Sequence, residues 1–319
     1  MALPTNTHIT YANIGIREDL SDVIYNISPE ETPFWNNIGT GKATATFHEW
    51  QTQTLASAVD TNANLEGDDA NLDAANTTTR VGNRTQIADK TAVISGTNDA
   101  VNTAGRASEM ALQVMLKTKE LKRDIEKQML SNKASVTGNS STARVSAGME
   151  SWITSNASRG AGGSGGGFSA GTVSAPTDGT QRAFTETLLK AAQLSAFNNG
   201  GRPTQLYMGG TQTQVFDSFT GIATNRIDNS PSTGQLAIVG AADVYLGDFG
   251  RLTAIPHPYG MRSRTVLGID PSYVRKADLR STKSVPLSVT GDNSKYQIVC
   301  EYTLQVDNEA AHFVVADLT

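Results

Sequence analysis

The chain is 319 residues long, and its 38% hydrophobic content is enough to give two or three packed units a core each, which excludes disorder throughout. Its 26 basic and 31 acidic residues leave a formal charge of −5, so it lacks the net basic balance of a protein that wraps phosphate backbones. Aromatic residues are scarce at 6% while Ala, Gly, Ser, Thr and Asn abound, a bias of extended, sheet-rich chains that bury surface against copies of themselves.

No basic segment followed by an apolar run opens the sequence, and nowhere do 18 apolar residues follow one another. The expectation is a soluble, non-secreted chain without a membrane partner. Cys300 stands alone, which rules out an intrachain disulfide and fits a reducing cytosol.

The first 43 residues hold Pro4, Pro29 and Pro33 and one short helical candidate, "REDLSDVIYNI", in which Leu20, Val23, Ile24 and Ile27 share a face. Too few apolar residues are present for a core, so the segment reads as an arm that lies on another surface. "TATFHEWQTQT" (44–54) and "TTTRVGNRTQIADKTAVISG" (77–96) have the Thr-rich, aromatic and β-branched character of strands. Between them lies "LASAVDTNANLEGDDANLDAAN", which carries Asp60, Glu66, Asp68, Asp69 and Asp73 and no Lys or Arg. A loop longer than about 15 residues is functional or mobile rather than a tight hairpin, and a two-stranded ribbon needs something to rest on.

A long amphipathic helix follows, expected over Asn98 to Asn132 with Thr97, Asn98 or Asp99 as its cap. Ala107, Ala111, Val114, Thr118, Leu121, Ile125 and Met129 step along one face, and "KTKELKRDIEK", with Lys122 and Glu126 one turn apart, supplies the charged side. At about 1.5 Å per residue it would be roughly 50 Å long. The Gly/Ser-rich "SRGAGGSGGGFSAGT" reads as a flexible loop. Helices are expected over Thr180 to Asn199, stopped by Gly200, Gly201 and Pro203, and in "TQTQVFDSF"; strands are expected in "TQLYMGG" and around Gly247 to Gly250. Together they make a mixed α/β unit over about 151–280. In "QIVCEYTLQVDN" apolar and polar residues alternate strictly, and "AAHFVVADL" reads as its antiparallel return strand.

Chemistry is hard to find. Gly160, Gly162 and Gly165 satisfy G-x-G-x-x-G, and Gly162, Ser164 and Gly166 satisfy G-x-S-x-G, but neither lies between a strand and a helix. "GTGKAT" has Ala43 where a phosphate loop needs Ser or Thr. Asp69, Asn71 and Asp73 have calcium-loop spacing, yet Ala74 replaces the turn glycine and Arg80 the bidentate Glu. His8, His48, His257 and His312 are scattered, without the i+3 or i+4 partner of helix-borne ligands. No catalytic residue, cofactor site or metal site is assigned.

The stretches "REDLSDVIYNISPEETPFWNNIG", "HEWQTQTLA", "LEGDDAN", "RVGNRTQIADKTAVISGT", "AGRASEMALQ", "KELKRDIEKQMLSN" and "LQVDNEAAHFVVADL" closely resemble, in order, a family of major capsid proteins of tailed bacteriophages. The resemblance implies the α+β Hong Kong 97-like coat fold. Its parts would be an N-terminal arm over 1–45, an extended β-hairpin loop over 46–96, a peripheral domain with the spine helix over 97–150, an axial domain over 151–280 and the peripheral sheet over 281–319. It further implies hexamers and pentamers forming an icosahedral virion capsid, assembled in the host bacterial cytoplasm around double-stranded DNA that is enclosed without specific binding. No long charged helix precedes the arm, so any scaffold is expected as a separate protein or a removed piece, beside portal and cement proteins. The Lys and Asn pair that crosslinks some shells finds no match, Lys42 and Lys90 being only the lysines nearest the loop.

The contact expected to guide assembly is the acidic loop, through Asp60, Glu66, Asp68, Asp69 and Asp73, on a neighbour's Arg80, Arg84, Lys117, Lys119, Lys122, Arg123 or Lys127. An encapsulin-like compartment would share the fold but enclose an enzyme, a flagellin-like filament would put heptad helices at both termini, and a hydrolase would need a pocket of convergent polar groups.

Overall fold

The computed structural model describes residues 28–67, 69, 73–101, 108–219 and 244–319. The helix expected over 17–27, His8 and Asp68 lie outside them. In chain order the elements are α1 (Pro33–Asn37), β1 (Gly39–Lys42), β2 (Phe47–Thr52), β3 (Thr79–Arg84), β4 (Gln86–Ser95), α2 (Gly96–Ala100), α3 (Glu109–Met129), α4 (Met149–Trp152), β5 (Ala157–Ser158), β6 (Gly167–Ser169), β7 (Thr172–Ser174), α5 (Glu186–Asn198), β8 (Gln205–Met208), α6 (Gly210–Asp217), β9 (Val244–Gly247), β10 (Gly250–Pro256), β11 (Val266–Ile269), β12 (Val274–Pro286), β13 (Asn293–Val306) and β14 (Phe313–Val315).

Two sheets carry the fold. Strands β1-β12-β13-β4 form a long sheet, antiparallel except for the β1 and β12 pair, and β5-β14-β11-β8-β10-β9 form a mixed one. Helix α3 lies on the first: its Leu121, Ile125 and Met129 share a core with Ile298, Cys300, Tyr302 and Leu304, the inward set of the alternation along β13. The central strands of the second sheet, β14, β11 and β8, are buried on both sides. Tyr207, Leu267, Ile269 and Val314 face that same core, while Leu206, Met208, Val266, Phe313 and Val315 pack with Leu189, Ala192 and Ala196 of α5 and Phe216 of α6. This accounts for continuous apolar runs such as "FVV", since a strand covered on two faces has no solvent side to make polar.

Several expectations need correction. The long helix begins at Glu109, not Asn98: Ser95 caps α2 by accepting from Asn98 N, Val101 returns to extended backbone, and Ser108 caps α3 by accepting from Ala111 N. Two capping serines start two helices, and α3, with 21 residues, is about 32 Å long. The strand run over 77–96 divides at the fully buried Thr85, so β3 pairs with β2 and β4 with β13; the span 46–96 is therefore partly ribbon and partly body. "FVV" does not return along β13. The Asn308 side chain accepts from Ala310 N to start a tight turn over Glu309–Ala311, and Asn156 Nδ2 donates to Ala310 O and His312 O at 2.8 Å each. This corner delivers β14 to the other sheet, between β11 and β5.

The glycine-rich segment is built into the fold and is not the flexible loop its composition suggests. It folds into the β6–β7 hairpin and bridges Ser164 to Thr177, and a Cβ on Gly160 or Gly166 would sit 2.0 Å from Thr180 O or 2.2 Å from Ser174 O. Its glycines permit close backbone approach. The last part of the supposed arm also belongs to the body. Phe34 is fully buried against Tyr207, with ring centroids 5.5 Å apart, and β1 adds to β12.

Candidate assembly surfaces

The ribbon of β2 and β3 is fixed at its root by buried polar side chains. Asn83 donates to Leu304 O at 2.8 Å and Ala147 O at 3.3 Å, and its Oδ1 accepts from Ala147 N at 3.0 Å, so one amide ties the ribbon to β13 and to the segment before α4. Thr85 Oγ1 donates to Glu301 Oε1 at 2.9 Å, and Arg144 and Arg280 pair with the same carboxylate at 2.6 Å and 2.9 Å. Burial pushes the Glu301 carboxyl up, but the hydrogen bonds from Thr85 and Arg280 and the two guanidinium charges more than offset this, and it titrates below its ordinary range. Trp50 of β2 completes the joint, 5.4 Å from Trp152, which stacks on Phe168.

Past Thr52 the ribbon opens into the acidic loop. Asp60, Glu66, Asp69 and Asp73 are exposed, and so are Leu55, Val59 and Leu65, at 92%, 68% and 81%. The Gln53 and Asn76 side chains donate across the loop's neck to Asn76 O and Thr54 O and brace it near the strands.

The basic residues expected to receive such a loop are mostly committed within their own subunit. Arg80 pairs with Glu49 at 2.5 Å, Lys117 with Glu120 at 2.9 Å and Lys119 with Glu30 at 2.6 Å. Arg84 lies over the Phe47 ring and Arg123 over Tyr259. Lys122 and Lys127 are exposed, with no ion pair among the described residues.

Glu126, expected on the charged face with Lys122, is instead fully buried. Its carboxyl accepts from Phe34 N at 2.7 Å, Trp35 N at 2.8 Å and His257 Nε2 at 2.9 Å. Gly260 N donates to the other ring nitrogen of His257, so Nε2 carries the proton. One side chain of α3 thus joins the start of α1 to the loop after β10. A comparable joint surrounds Glu150, also fully buried, which pairs with Arg159 at 3.3 Å and Arg262 at 3.0 Å. Sequence reasoning missed both, although Glu126 lies four residues before Leu130 and three before Met129, both buried, a spacing that puts it on a covered flank.

Among the described residues no three His, Cys, Asp or Glu side chains gather as metal ligands, and no helix is long and apolar enough to cross a membrane. His48 meets Gln305, and burial lowers His312 to about 3, leaving it neutral. Burial pushes the Cys300 thiol up to about 11 and keeps it a packing group. The buried carboxylates Glu126, Glu150 and Glu301 are each bonded to groups of neighbouring elements and act as joints of the fold.

The fold is shared with solved phage shells. A chain of the capsid asymmetric unit of cyanophage A-1(L) superposes with TM-score 0.64 at 12% identity, over 98% of each chain. The capsid structure of cyanophage P-SCSP1u gives 0.60 at 9% identity, over 99% of this chain and 97% of that one. The architecture is the Hong Kong 97-like coat fold. More narrowly, residues 3–319 match the model of the SU10 major capsid protein, and the chain belongs to that family. The curated major capsid protein of Escherichia phage Phieco32 is 36% identical over 134 residues, a stretch that spans 42% of this chain and 38% of that protein.

Proposed function

We propose that this coat protein assembles as hexamers and pentamers into an icosahedral virion shell around double-stranded DNA, in the cytoplasm of the bacterial host. In this reading α3 with the four-stranded sheet is the peripheral domain, the six-stranded sheet with α5 and α6 is the axial domain, and β2, β3 and the acidic loop are the extended loop. The observation that carries it is the ribbon itself: a rigid root supports a tip whose three exposed apolar residues have no use in a lone subunit. The acidic tip docks on a neighbour's cations, where weak exposed pairs set register and salt sensitivity more than strength. The formal charge of −5 suits a wall that encloses DNA without gripping it. Portal and cement proteins are further partners, beside a scaffold that is a separate protein or a removed piece. An encapsulin-like shell with enzyme cargo is the second reading, favoured only by the shared fold.

Electron microscopy of the full chain expressed alone tests this. Closed shells or capsomer rings are expected, and their nucleic-acid or protein content separates a virion from a cargo compartment. A monomer at high concentration, unmoved by co-expressed phage proteins, would contradict the proposal.

A further inference from the structure

Charge gathers around the start of the glycine-rich segment. Glu150, fully buried, takes Arg262 at 3.0 Å and Arg159 at 3.3 Å. Arg262 also pairs with Asp178 at 2.5 Å, a hydrogen bond that holds the Asp178 carboxyl below its ordinary range, and Arg264 lies 3.5 Å from Asp178 and 3.6 Å from Asp317. Asp317 is buried, and its Oδ2 accepts from Gly160 N at 3.0 Å. Its backbone φ is 60°, a left-handed conformation that the surroundings must hold in place. A fourth guanidinium, Arg182, donates to Ser158 Oγ at 2.8 Å and meets no carboxylate among the described residues. Four guanidiniums therefore face three carboxylates, and one positive charge is in excess.

The unmet hydrogen bonds lean the same way. Arg159 Nε and Nη2, Arg182 Nε and Arg264 Nε are buried donors without a partner, against a single such acceptor, Asp317 Oδ1. Arg159 is the extreme case: its side chain is 4% exposed, and the 3.3 Å contact to the shared Glu150 is its one hydrogen bond among the described residues. A buried cation needs a counter-charge and bonds to its donors. Water would bring as many donors as acceptors and no charge, whereas a small anion brings acceptors and the missing charge together. We propose that this cluster seats a monovalent anion of the size of chloride, bound by Arg159 Nε and Nη2 beside the loop of residues 160–163. Gly163 lies against the seat, where a Cβ would stand 3.1 Å from Arg159 Cβ and 3.0 Å from Asp317 Oδ2. Gly160 opens the G-x-G-x-x-G pattern, but a phosphate dianion does not suit the place: Glu150, Asp178 and Asp317 would repel it, and one unit of charge is all that is lacking.

The ion belongs to the single subunit, so its test does not depend on assembly, and bromide is the probe. In the unassembled full chain, exchanging sodium gluconate for sodium bromide at fixed ionic strength should raise the thermal midpoint saturably by about 2 °C, the shift expected for a ligand at about tenfold over its Kd. Arg159→Gln, checked for unchanged circular dichroism, should abolish that rise, while Arg251→Gln, at an exposed arginine outside the cluster, should keep it. Crystals of the wild type grown in bromide should show an anomalous peak beside Arg159 Nη2, a reading that needs no variant and decides the matter if Arg159→Gln does not fold. A midpoint indifferent to bromide overturns the proposal, a peak without the saturable rise being an adventitious ion only. So does a rise that Arg159→Gln retains, or a bromide crystal with no peak beside Arg159.

Discussion

At the root of the ribbon Asn83 and Thr85 are fully buried and their side chains are bonded inside the subunit, whereas at the other end Leu55, Val59 and Leu65 stand in solvent beside four exposed acids. Both ends are polar in composition, and the difference lies in where the partners are. At the root a buried amide or carboxylate has one satisfactory geometry, so it fixes the direction in which the ribbon leaves the body. At the tip the side chains of Leu55, Val59 and Leu65 are left in solvent, and in the proposed shell they are available to another molecule. A coat protein needs both, because a misdirected ribbon would miss its neighbour and a self-satisfied tip would have nothing to offer it.

The comparison is broken most severely at Asn83. Asn83→Ala strips Ala147 N and Leu304 O of their partner and should cost about 3 kcal/mol, read as the urea midpoint of the unassembled subunit. A loss under about 1 kcal/mol would mean that the root is not fixed by this amide. Glu301→Gln should cost less, about 1 to 2 kcal/mol, since Arg280 and Arg144 keep some solvent. It should also change the response to acid. The folded carboxyl titrates below its unfolded value, so its contribution is present above the unfolded pKa and is lost as pH falls through the folded one; stability should drop below about pH 4, and the variant should flatten that drop. The smallest effect on the subunit is expected at the tip. Asp60→Asn, Glu66→Gln and Asp73→Asn together should move subunit stability by no more than about 0.5 kcal/mol while making assembly less sensitive to salt. A large stability change would show that the loop is folded onto its own subunit.

Much of this was legible in the sequence, for reasons that are local. The step of Leu121, Ile125 and Met129 marks a helix face, and the alternation through Cys300 and Tyr302 marks a strand, because each pattern is set by one element against one core. The acidic loop was visible because a long stretch without Lys or Arg is a compositional fact. What stayed hidden depends on meetings between distant residues. "FVV" looks like a return strand until Asn156 turns the corner at Ala310, and Gly160 looks flexible until Thr180 O lies against it. Glu126 looks solvated because the amides it receives come from residues about ninety positions away. Of the residues expected to form the assembly contact, Asp60, Glu66, Asp69 and Asp73 are exposed, while five of the seven cations are engaged within the subunit.

The most direct measurement is hydrogen exchange by mass spectrometry on the unassembled subunit and on assembled shells. The account predicts that amides of residues 53–67 and 73–78 exchange freely in the subunit and become protected in the shell, while those around Asn83, Thr85 and Glu301 are protected in both. A loop that stays unprotected in shells, or a root that becomes protected only on assembly, would contradict it.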